Sequence, residues 1–184
     1  MVSSPPRAGG PQLEPYGPSW PATAEAAIAE LSAALPGLFS AIEHIGSTAV
    51  PGLAAKPIID LMAATSSLDA VAARDADFAA LGYERIESGM PERLFYQRHQ
   101  DGRRSHHLHV VLDPTWTTRN ERLLRDHLRS HPVDALRYEA LKRHLASLHE
   151  SCDDYTRGKT PLVQELTDRA RAARGLPPVL VWEE

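Results

Sequence analysis

The segment Ile42-Glu43-His44-Ile45-Gly46-Ser47-Thr48-Ala49-Val50-Pro51-Gly52-Leu53-Ala54-Ala55-Lys56-Pro57-Ile58-Ile59-Asp60-Leu61-Met62 constrains the fold more than any other. One apolar run ends in Gly-Ser, a Pro- and Gly-punctuated link follows, and a second apolar run carries a single carboxylate. Short runs bounded by turn residues read as strands. Glycine after the first lets backbone approach an anion closely, and the hydroxyls of Ser47 and Thr48 can donate to it. A one-turn helix expected over Thr48 to Leu53 would add the positive end of its dipole. The stretch therefore outlines a phosphate site at Gly46, Ser47 and Thr48, with Asp60 beside it as a cation ligand. A Gly-Ser pair taken alone marks no more than a turn.

The remaining pattern frames these strands. After a disordered leader over 1–12, residues 13–184 suit one domain, helical from about 117 onward. Leu13 to Pro21 is an irregular arm, broken by its prolines and anchored by Tyr16 and Trp20. Helical spacing runs from Thr23 to Leu35, and again from Leu68 to Leu81 with Gly82 as the stop. Strands are expected over Phe39–Ile45, Pro57–Ala64, Arg93–His99 and His106–Leu112, the last two joined across Asp101-Gly102, a strong hairpin signal. Helices follow over Asn120–Arg129, Val133–Leu148 and from about Tyr155 or Pro161 through Ala173, before an apolar tail, Val179–Trp182, that docks back. The class is α+β: a small mixed or antiparallel sheet of about four strands packed with helices.

Composition excludes several functions. No apolar run approaches the ~20 residues that span a bilayer, so no membrane partner is expected. The N-terminus lacks the apolar core of a signal peptide, which points to the cytoplasm. A net charge of −4 argues against generic nucleic-acid binding, which depends on accumulated cationic contacts. Cys152 is the only cysteine, so no disulfide framework or multi-thiolate site exists within the chain; its acidic neighbours Asp153 and Asp154 disfavour a reactive thiolate.

Three further groups could carry chemistry. Asp60 stands in an apolar strand, where a carboxylate needs a cation or donors; a partner such as Lys56, or a place at the strand end in water, would satisfy it equally. Among nine histidines, His44, His107 and His109 fall on strands. Strand alternation puts His107 and His109 on one face, where imidazoles can converge on one ion, although hydrogen-bonded histidines show the same spacing. Arg137, Lys142, Tyr155, Arg157 and Lys159 could line a groove for phosphates and a base, or form a solvated helix face.

The run His44 to Asp60 closely resembles the GrpB family, a branch of the polymerase-beta-like nucleotidyltransferase superfamily. Tyr16-x-x-x-Trp20-Pro21, His107-Leu108-His109-Val110, Leu124 to Pro132, Tyr138-Glu139-Ala140-Leu141-Lys142 and Tyr155-Thr156-x-x-Lys159 match as well. The resemblance covers Leu13 to Ala173 and implies a nucleotidyltransferase-like fold. It implies a nucleotide or another phosphorylated small molecule as partner, and Mg²⁺ or another divalent cation as cofactor. Gly46, Ser47, Thr48, Lys56, Lys142, Tyr155 and Lys159 would meet the phosphates and nucleotide. Asp60, His107, His109 and His44 would hold metal, with Asp60 and His109 the catalytic pair. Nucleotidyl transfer in that superfamily uses two ions held by carboxylates. The usual second carboxylate, two residues beyond Asp60, is Met62 here, which opens the alternative of a non-catalytic binding or regulatory module. A histidine-site metalloprotein without nucleotide is a further alternative.

Overall fold

The computed structural model describes residues 12–90, 92–148 and 151–181. The leader expected over 1–12 lies outside these residues except for its last position, and so does Trp182. Among the described residues two compact units interleave along the chain: residues 17–49, 57–90 and 92–119 form one, and residues 12–16, 50–56, 120–148 and 151–181 form the other. Among the described residues no helix is long and apolar enough to cross a membrane.

The first unit opens with α1 (Trp20–Ala34), which buries Trp20, Ala24, Ala27 and Leu31 along one stripe. The helix begins three residues before the Thr23 expected, because Pro21 occupies its first turn, where a missing N–H costs nothing. Five strands follow: β1 (Ala41–Ile45), β2 (Ile59–Thr65), β3 (Tyr83–Ile86), β4 (Arg93–Gln100) and β5 (Arg103–Leu112), in the order β1-β2-β5-β4-β3. The β2–β5 pair is parallel and the other pairs are antiparallel. Strand β3 is the one the expected count of about four lacks. The helix expected over Leu68 to Leu81 is two, α2 (Leu68–Ala72) and α3 (Asp75–Ala80). Asp75, at the head of α3, accepts from Tyr96 Oη at 2.8 Å and meets Arg85 at 3.1 Å, long-range bonds that local spacing does not record.

Register assigns the two faces. Glu43 and Ile45, Asp60 and Met62, His107 and His109, Phe95 and Gln97 stand opposite one another on one side. Leu61, Ala63, Leu108, Val110 and Tyr96 share the other, where Glu30 of α1 accepts from Arg98 at 2.6 Å. Strand β2 is inner, which is why it reads as an almost unbroken apolar run with Asp60 as its exception.

The second unit consists of α4 (Asn120–Ser130), α5 (Pro132–Leu148) and α6 (Cys152–Ala172) around Val50, Leu53, Leu128, Tyr138, Val163 and Leu166. Helix α6 starts earlier than Tyr155, because the Ser151 hydroxyl caps it by accepting from the N–H groups of Asp153 and Asp154. Ala54 is held on both sides by α5: its N–H donates to Glu139 Oε2 at 3.0 Å, and its carbonyl accepts from Lys142 Nζ. The tail docks as expected, with Gln164 donating to the Val179 carbonyl at 2.9 Å and accepting from the Val181 N–H at 3.0 Å.

Candidate cation and phosphate site

The site grows from the end of β1. Ile45 pairs with Asp60 across the ladder, and Gly46 then turns the chain with φ of +71°, a conformation that favours glycine. A Cβ at position 46 would run into Asp60 Oδ2 and lie 3.0 Å from the Asp60 Cβ and Cγ atoms, so the turn rests directly on the carboxylate. A 3₁₀ turn over Ser47–Ala49 stands where the helix over 48–53 was expected, closed by the Ala49 N–H donating to the Gly46 carbonyl at 3.2 Å. Ser47 is half-buried beside it. Thr48 is buried; its hydroxyl donates to the Ile58 carbonyl at 3.3 Å and shares a 2.9 Å hydrogen bond with His44 Nε2. Thr48 and His44 thus brace the turn from within.

Asp60 Oδ1 accepts from His107 Nδ1 at 2.9 Å, with about a quarter of the carboxylate side chain exposed (27%). That bond places the imidazole proton on Nδ1 and leaves the lone pair on Nε2. His107 Nε2 and His109 Nδ1 are both enclosed without a hydrogen-bond partner. Asp60, His107 and His109 each bring one ligand atom within 4.8 Å of the others; among the described residues His44 and Glu43 lie outside this set. His44 stands opposite Leu61, on the reverse face. Burial, helped by the nearby Arg93 guanidinium, pulls the His109 pKa down to about 3, so the ring is neutral, the form that binds a metal.

Two residues that sequence reasoning missed shape the cluster. Phe95, opposite His109 on β4, packs against both rings, at 5.2 Å from His107 and 4.9 Å from His109. Trp116 packs over the buried group of Ile45, Met62 and Val111. Met62 is fully enclosed there, at 0% exposure, so the place of a second carboxylate is apolar core. Mg²⁺ demands an oxygen octahedron, and one carboxylate with two imidazoles and a buried thioether does not supply a two-Mg²⁺ centre.

The other expected contacts fall in the helical unit. Lys142 is 2% exposed, bonded to the Ala54 carbonyl and 4.8 Å from the Tyr138 ring. Lys56 and Lys159 stand 5.5 Å and 5.2 Å from the ring of Tyr155, which is buried. Arg137 bonds to Asp134 and Glu165, tying α5 to α6. Arg157 is exposed.

A five-stranded mixed sheet with flanking helices, carrying a glycine turn against a carboxylate and two imidazoles, defines the class of protein. The family profile described as GrpB protein matches residues 11–169. The chain belongs to the GrpB family. It is 37% identical to the UPF0157 protein YqkA of Bacillus subtilis over 133 residues, 71% of this chain; that stretch spans only 38% of the YqkA length. It is 38% identical to a UPF0157 protein of Pseudomonas aeruginosa over 91% of this chain and 71% of that protein. The crystal structure of the conserved protein GrpB from Enterococcus faecalis superposes with a TM-score of 0.83 at 31% identity, covering 89% of this chain and 99% of that one.

Proposed function

We propose that this chain binds a phosphorylated small molecule, a nucleotide foremost, at the Gly46–Ser47 turn, together with a divalent cation held beside Asp60. The carrying observation is the contact of Gly46 with Asp60, which puts an anion-compatible turn and a cation-binding carboxylate side by side. A phosphate at the turn would complete the coordination of an ion at the carboxylate, so each ligand would strengthen the other. The resemblance to nucleotidyltransferases supports the choice of nucleotide. Binding without turnover is the reading that Met62 favours, because its packing against Ile45, Val111 and Trp116 leaves two-ion transfer chemistry without its second acid.

Calorimetry with nucleoside triphosphates and a divalent cation tests the reading. Saturable binding that Asp60→Asn weakens is the expected result; unchanged binding in that variant removes the reading. A turnover screen with candidate acceptors separates binding from transfer. Sustained pyrophosphate release would assign nucleotidyl transfer to the site, with Asp60 and His109 as its reacting-site groups.

A further inference from the structure

We infer that Asp60, His107 and His109 form a site for one first-row transition dication, of the Mn²⁺, Fe²⁺, Co²⁺ or Zn²⁺ class, in preference to Mg²⁺. The inference deepens the cation half of the function proposed above and rests on the same carboxylate. The donor set decides the class: imidazole suits transition ions, and a two-imidazole, one-carboxylate group on one face leaves coordination positions open for a substrate oxygen. Mg²⁺ holds its water tightly and gains little from nitrogen donors.

Three observations support a built site over a chance cluster. First, His107 Nε2 and His109 Nδ1 are enclosed and unpartnered, a condition that is costly unless something meets it. Second, Asp60 Oδ1 holds His107 Nδ1 at 2.9 Å, which fixes the orientation of the ring, and one ligand atom from each of the three residues lies within 4.8 Å of the others. Third, Phe95 packs on both rings and the rings stand at 86° to one another with centroids 6.4 Å apart, so both are positioned by packing. The three ligand residues sit on adjacent, register-locked strands, Asp60 directly opposite His107 and Met62 opposite His109.

The test uses the full chain without an affinity tag, stripped of metal by chelator. Co²⁺ titration is followed by its visible d–d absorption, and Mn²⁺, Zn²⁺ and Mg²⁺ are compared by calorimetry and by competition against Co²⁺. The expected result is one Co²⁺ per chain, with nitrogen-ligated absorption that millimolar Mg²⁺ does not displace. Asp60→Asn and His109→Gln should each weaken Co²⁺ binding at least about tenfold to 100-fold, the scale on which even supporting partners of metal ligands act. Mg²⁺ binding as tight as Co²⁺, or Co²⁺ binding unaltered in both variants, would overturn the inference. The comparison of ions on the unaltered chain needs no variant to fold. Co²⁺ binding with no affinity for any phosphorylated ligand would sink the function proposed above and leave the metal site standing. Nucleotide binding that needs no transition ion, with no Co²⁺ bound, would do the reverse.

Discussion

Gly46 and Asp60 approach so closely that only a hydrogen atom fits between the turn and the carboxylate. Alanine at position 46 carries two costs. The positive φ of +71° penalises any Cβ by about 1–2 kcal/mol, and the added methyl must displace the Asp60 side chain. Gly102→Ala is the control, since φ there is +74° and a Cβ meets nothing within 4 Å. Urea unfolding should show both variants destabilised, Gly46→Ala the more. Divalent-ion binding should fall in Gly46→Ala alone; equal losses in the two would show that the contact with Asp60 does not matter.

Met62 is the second position to probe. It is enclosed among Ile45, Val111 and Trp116, so a swap to leucine should cost less than about 1.5 kcal/mol. Aspartate there would bury a charge in an apolar group and should cost roughly 3 kcal/mol or more in metal-free buffer. Thermal melts of both variants check this. A Met62→Asp protein as stable as the parent would mean that the pocket already admits water or ions.

A buried network far along the chain sets the acid limb of stability. Burial alone would push the Asp134 carboxyl up, but the bonds from His127 Nε2 at 2.8 Å and Arg137 at 2.9 Å, with Arg169 nearby, outweigh it and hold the group below its ordinary value. A depressed carboxyl stabilises the fold above its unfolded value of about 3.9, and that contribution fades as pH falls through the lower folded value. Urea midpoints measured from pH 6 down to pH 2.5 should therefore drop more steeply in the parent than in Asp134→Asn. The variant should also be less stable at neutral pH, since His127 and Arg137 lose their shared negative charge and one of its two acceptor oxygens.

Sequence alone revealed much of this site, and what it missed has physical causes. The Asp101-Gly102 turn, with φ of 51° and 74°, makes the expected hairpin. An unbroken ladder from that turn would set Leu94 opposite His109 and turn Phe95 to the other face. The irregularity between Arg98 and His99 leaves Ser105 as an extra residue, its hydroxyl donating to the Arg98 carbonyl at 3.1 Å, and brings Phe95 against the imidazoles. No composition rule signals that bulge. Alternation did place His107 and His109 together, and the apolar run around Asp60 did mark an inner strand. Thr48 and His44 face each other in the fold, an arrangement that a hydroxyl and an imidazole four residues apart do not distinguish in sequence from a pair that faces a ligand. Strand β3 was hidden by its length of four residues and by Gly82, which ends α3 and begins the strand in one step.

The grip of α5 on Ala54 has a consequence for synthesis. Glu139 and Lys142 lie 85 and 88 residues downstream of the peptide they hold. At ~5–20 residues per second, Val50 and Leu53 leave the ribosome several seconds before their core exists. During that interval an apolar stretch stays uncovered in the middle of the nascent chain, flanked by segments of the sheet unit. A protein shortened to residues 120–184 would meet the opposite problem, with Leu128, Tyr138 and Leu166 made but the inner wall of their core left behind. The helical unit is therefore not a detachable module: its last wall is contributed by the linker that follows the Gly-Ser turn.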